Sequence, residues 1–183
     1  MDWYAIFKAL HVLCAVGWAG GGLALVVLGI RAERSGDGAG LVQVLRDGLY
    51  VVPRVLLPSS LGAVVSGVVM LFLGQNWADT WILVGIAGFL LTFSYGNFFI
   101  KPLGDRMAAM ADRDGPTPAV VVQCRDMLAF IKFDAVMLLT VVADMVLKPH
   151  ADDWVTLLVM GLVAIGAGVI FLAPLRNRTT APA

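Results

Sequence analysis

Apolar residues run along this chain in long blocks, and short polar stretches between them carry most of the charge. A helix needs ~20 mostly apolar residues to cross ~30 Å of hydrocarbon. Trp3–Ile30, Val51–Gly74, Thr80–Ile100, Gln123–Leu147 and Trp154–Pro174 all reach that length. The pattern predicts an all-α integral membrane bundle of five transmembrane helices. It fills residues 1–175 as a single domain and leaves 176–183 as a short cytoplasmic tail. The first, third and fifth blocks are nearly uninterrupted. The second begins near Arg54 and contains Pro58, which can kink a membrane helix without ending it. The fourth holds Lys132, Asp134 and Asp144, enough charge for simple hydropathy to pass it over.

Charge in the connections alternates from one side to the other. Arg31, Arg34, Arg46 and Arg54 lie between the first two blocks, Lys101, Arg106, Arg113 and Arg125 between the third and fourth, and Arg176 and Arg178 in the tail. The opposite side has only Lys8 and Lys148. The positive-inside rule then puts the N-terminus outside and the C-terminus in the cytoplasm. An odd number of spans agrees with that. Trp3, Trp77, Trp81 and Trp154 fall at the expected outer ends, as an aromatic belt would place them, and Trp18 alone lies mid-span. Met1–Asp2–Trp3 lacks a basic leader, so the first block reads as a retained anchor. Leu41, Val44, Leu45 and Leu49 recur at helical spacing, consistent with an interfacial helix leading into the second span. Thr117 followed by Pro118 predicts a helix start ahead of the fourth block.

Composition narrows the classes. Residues are 60% hydrophobic and 14% charged, with a mean hydropathy of +0.87, against roughly 45–50% and about 25% in soluble domains. The lipid bilayer is therefore the expected partner. Thirteen basic residues balance 13 acidic ones, which excludes a nucleic-acid footprint. Cys14 and Cys124 lack CxxC spacing and read as small buried thiols. His150 with Asp152 and Asp153 could bind a divalent ion, but a helix cap ahead of Trp154 fits better. With no internal repeat, an inverted-repeat transporter is not supported.

Chemistry is expected where polar groups interrupt the apolar blocks. Lys8, His11, Trp18 and Gly20–Gly22 share the first block, with His11 ~12 Å deeper than Trp3 at 1.5 Å per residue. An imidazole at that depth should face the bundle. It could bridge helices, bind haem or a metal, or transfer a proton. The glycines would let a helix or a flat cofactor come close. In the fourth block each central charge costs ~2.5–3.5 kcal/mol on insertion scales, so the segment needs partners inside the bundle. Lys132 and Asp134 are two apart and cannot pair along the helix. Asp134 and Asp144 differ by about 80° of arc at ~100° per residue and could line one polar stripe, with His11 and Lys8 as partners nearest Asp144. A structural ion pair or snorkelling by Lys132 is the alternative. Ser59, Ser60, Gly62, Ser66 and Gly67 read as a packing face of the second span. Tyr95 and Asn97 read as interface residues of the third.

The run Lys8–Ala–Leu–His11 … Gly17–Trp18–Ala–Gly20, the Pro58 … Gly67 pattern and Lys101–Pro102–Leu103 resemble an uncharacterised group of predicted bacterial integral membrane proteins of similar size. That resemblance covers the first three spans and the following loop, and it implies a multi-pass inner-membrane protein. The first helix also resembles the membrane protoporphyrinogen oxidases of the haem pathway and, more distantly, copper-resistance inner-membrane proteins. The former match at His11 and Trp18, and their histidine is tied to haem. That implies haem b at His11 with Lys8 near a propionate, although the spans offer no second histidine. Three functions stay open: an accessory or structural membrane protein with a protein partner or a second copy of itself, a haem-linked redox protein, and a small ion-handling protein using the fourth helix.

Overall fold

A computed structural model describes residues 1–74 and 77–175. Among them the chain is almost wholly helical, without a strand: α1 (Trp3–Arg34), α2 (Gly38–Val51), α3 (Leu57–Gly74), α4 (Thr80–Tyr95), α5 (Lys101–Asp114), α6 (Pro118–Leu147) and α7 (Trp154–Phe171). Helices win because lipid offers the backbone no hydrogen bonds, so each span must satisfy its own. Four stretches are long and apolar enough to cross a membrane: Trp3–Arg34, Gly38–Gly74, Thr80–Asp114 and Trp154–Leu175. Helix α6, 30 residues long, or about 45 Å at 1.5 Å per residue, is the fifth long helix, and its charges keep it out of that set.

Four of the five long helices outrun the expected spans, α1 by one turn to Arg34. Residues 38–74 are continuously helical, so α2 is the lower half of the second long helix and not a separate interfacial one. Residues 80–114 do the same through α5, and α6 begins at Pro118. Thr117 occupies the N-cap position of α6 but makes no side-chain cap bond. Asp153 caps α7 in position only, because its carboxylate accepts from the His150 N–H at 2.9 Å. The last block is helical to Phe171, and the tail with Arg176 and Arg178 lies outside the described residues.

Two π turns join the halves, at Val52–Leu56 and Gly96–Ile100. The cause is local. Leu57 N–H donates to Val52 O and Lys101 N–H to Gly96 O, and each donor directly precedes a proline, Pro58 or Pro102. Proline lacks an N–H and its ring crowds the carbonyl four residues back. Widening the preceding turn by one residue relieves that crowding without breaking the helix.

The tightest packing lies at the arginine-rich end. Leu41, Val42 and Leu45 of α2 meet Met107 and Ala111 of α5 and Val120, Cys124, Met127 and Leu128 of α6, all buried. Arg46 of α2 pairs with Asp112 of α5. Along the spans the bundle exposes large apolar side chains such as Leu13, Val65, Phe72 and Ile165, as lipid contact requires. There α1 packs on α3 through small residues. A Cβ added at Gly62 would lie 2.7 Å from Cys14 Sγ, and one at Gly17 2.9 Å from Ser59 Oγ. Such close approach is the usual basis of helix association in membranes. Helix α7 packs against α6.

Candidate functional site

The first intramembrane exception, His11, serves the α1–α3 contact. Its Nδ1 lies 2.6 Å from Ala63 O, and a Cβ at Gly67 would sit 3.2 Å from the ring. Nδ1–H donates across the helix pair, which is the interhelical hydrogen bond expected of a buried imidazole. Lys8 is exposed, while Trp18 sits edge-on to Phe89 with centroids 5.5 Å apart. His11, Lys8 and Trp18 are not brought together. The three-residue glycine run also divides: Gly21 faces Leu56 of the first π turn, whereas nothing lies within 4 Å of a Cβ at Gly20 or Gly22.

The fourth-helix charges separate three ways. Lys132 reaches the end of α1, where its Nζ donates to Glu33 Oε2 at 2.7 Å. It therefore serves the basic end, not the middle of the span, because its long stem lets the ammonium travel. The side chains keep 19% and 30% of their exposure. Asp144 lies against Gly85 of α4, its carboxylate fully buried and without a hydrogen bond among the described residues. Neither His11 nor Lys8 is its partner: His11 bonds Ala63 O of α3, while Val141, Asp144 and Met145 of α6 meet Gly85 and Gly88 of α4. The expected stripe shared by Asp134 and Asp144 does not form.

Asp134 lines a cavity among the helices. A space of about 240 Å3 lies between α1, α2, α3, α4 and α6, lined by Trp18 and Gly22, Leu56 and Ser60, Thr92 and Asn97, and Asp134 with Leu138. Both π turns contribute wall, and Lys101 and Asp105 lie at its basic end, paired at 2.7 Å. Asp134 Oδ1 is buried and has no hydrogen-bond partner among the described residues. Tyr95 is stacked on Phe99 and edge-on to Phe133, and its hydroxyl is likewise unpartnered among the described residues.

The cavity has a hydrogen-bond polarity. Ser60 Oγ donates to Leu57 O, and Thr92 Oγ1 donates to Gly88 O and Phe89 O. Each hydroxyl has one hydrogen, so what remains for the cavity is oxygen lone pairs. Asn97 Nδ2 donates to Phe93 O at 2.8 Å, leaving Oδ1 as an acceptor and one N–H. With the Asp134 carboxylate, the middle of the wall is rich in acceptors, while the spare N–H groups of Lys101 lie at its basic end. Spacing did not reveal this. Ser60 reads as a packing residue, Thr92 is a lone hydroxyl in an apolar block, and Glu33 hides between Arg31 and Arg34.

A second space of about 400 Å3 lies between α1, α6 and α7, with Glu33, Arg34 and Lys132 at its basic end. His11 lines neither of these two cavities. Among the described residues no three His, Cys, Asp or Glu side chains cluster to hold a metal. Compared with known proteins, residues 5–149 match a family model described as a predicted integral membrane protein, DUF2269. No curated protein and no solved structure matches the chain.

Proposed function

From the premise that the chain belongs to the DUF2269 family of predicted integral membrane proteins, we propose a multi-pass protein that binds a cationic hydrogen-bond donor at Asp134. The observation that carries this reading is the unpartnered Asp134 carboxylate facing an acceptor-rich cavity among the helices. An ionisable residue inside a membrane is costly and is kept where it meets a partner or a pathway. No side-chain cation pairs with Asp134 among the described residues. The complement of this wall is a small ammonium- or guanidinium-bearing molecule, with its cation at Asp134 and its apolar part against Leu56, Leu138 and Trp18.

Five crossings belong to the same reading. Helix α6 completes the cavity wall, and charges facing inward do not prevent it from spanning. The arginines at one end and tryptophans at the other support an N-terminus outside and a C-terminus in the cytoplasm, in a bacterial inner membrane. The Lys101–Asp105 end of the cavity then faces the cytoplasm.

The test is carbodiimide labelling of the purified protein in detergent, read by peptide mass spectrometry. Asp134 is modified, and hexylammonium slows the modification while hexanol at the same concentration does not. Absence of label on Asp134, or equal protection by the alcohol, overturns the reading. Loss of label in Asp134→Asn identifies the site.

A further inference from the structure

We propose that the groove between α1, α6 and α7 is a binding site for one anionic phospholipid, its phosphodiester at Arg34 and Lys132. This site is separate from the Asp134 cavity and does not depend on how that cavity is used.

The groove has the two-part chemistry of a lipid. Its apolar length is formed by Val26 and Ile30 of α1, Val136 and Leu139 of α6, and Phe171 of α7. From Lys132 to Leu139 it runs about 10 Å along α6 at 1.5 Å per residue, a length that suits the upper part of an acyl chain. Helices α1 and α7 both flank α6, but only α6 packs extensively against α7, so the space between the flanking helices stays open.

Its basic end supplies unused donors. The Lys132 ammonium has three N–H groups and spends one on Glu33 Oε2. The Arg34 guanidinium has five and no hydrogen-bond or ion-pair partner among the described residues. Lys132, Arg34 and Glu33 together carry a single net positive charge, which one phosphodiester neutralises. Glu33 also disfavours a second anion. These features favour a singly anionic lipid over a zwitterionic one. Basic pockets between membrane helices are known to select lipid headgroups in this way.

The experiment uses the full chain, delipidated in dodecylmaltoside. Dioleoyl-phosphatidylglycerol and dioleoyl-phosphatidylcholine are titrated separately, with bound lipid counted by native mass spectrometry. Each net positive charge near a headgroup contributes about fivefold, so the wild type, with one net positive charge at the site, should prefer the anionic lipid by about fivefold, with one tight copy bound. Arg34→Gln should abolish the preference, and Arg34→Lys should keep most of it. Arg34 is exposed, so these variants should fold, as an unchanged melting temperature without lipid will verify. Glycerophosphoglycerol, which has the headgroup but no chains, should not bind. Equal binding of the two lipids, or a preference that survives Arg34→Gln, overturns the proposal. Binding of glycerophosphoglycerol at lipid-like affinity overturns the lipid assignment in favour of a free phosphodiester.

Discussion

Lys132 and Glu33 lie 99 residues apart in sequence and are joined by one 2.7 Å hydrogen bond. That contact ties α6 to the end of α1, and a double-mutant cycle can weigh it. Two unit charges ~4 Å apart attract by about 4 kcal/mol at an effective dielectric of ~20. The ammonium and carboxylate retain 19% and 30% of their exposure, so water screens them and desolvation opposes part of the gain. The net coupling should be about 1–3 kcal/mol. This exceeds the ~0–1 kcal/mol of exposed pairs and falls below the ~3–5 kcal/mol lost when a fully buried pair is broken from one side. Glu33→Gln should be the more damaging single change, because it strands the less exposed ammonium beside apolar helix faces. Lys132→Met leaves a carboxylate that can rehydrate at the helix end. Glu33→Gln with Lys132→Met should cost less than the two losses added. Reversible unfolding in mixed dodecylmaltoside–dodecylsulfate micelles, followed by tryptophan fluorescence, measures all four corners. Additivity within ~0.5 kcal/mol, the value expected of independent sites, would refute the pairing as a stabilising contact.

Other consequences are equally direct. Gly62→Ala puts a Cβ 2.7 Å from Cys14 Sγ and should cost about 1–3 kcal/mol by overpacking; Cys14→Ala in the same chain should recover most of it, and a destabilisation unchanged by that second substitution would contradict the close α1–α3 approach. His11→Ala should lose about 0.6–1.7 kcal/mol, the range of interhelical hydrogen bonds in membranes. The absorption spectrum should not change, whereas a Soret band removed by His11→Ala would reverse the assignment of His11 to helix packing. Asp144→Asn should leave stability unchanged or raise it, because both carboxylate oxygens are buried without a hydrogen bond among the described residues and desolvation opposes their charge; a clear loss of stability in the same unfolding assay would mean that the charge has a partner.

Much of the architecture was legible in the sequence because lipid imposes one simple rule. Long apolar blocks must be helices, and the five blocks all became long helices. Their ends were harder to read. Residues 38–50 and 101–114 mix polar and apolar positions as any water-facing helix does, and nothing local says that they continue a span without a break. The π turns depend on how Pro58 and Pro102 crowd the backbone, which residue type alone suggests only as a kink. Asp134 stood out because a carboxylate in an apolar block is expensive. Its cavity did not, since a wall assembled from α1, α3, α4 and α6 depends on helix rotations at ~100° per residue. Glu33 as the mate of Lys132 was missed for the same reason: the stem of a lysine can carry its charge several ångströms along the helix.

The packing of α7 on α6 has a genetic consequence. Every residue lining the Asp134 cavity lies at or before Leu139, and the family match ends at residue 149, ahead of the first residue of α7. The groove at Arg34, by contrast, borrows Phe171 from α7. The two sites are therefore separable by a single stop codon in the turn at residues 150–153. A chain ended there keeps every wall of one site and loses a wall of the other. The last helix contributes no side chain to the cavity of the four long helices before it.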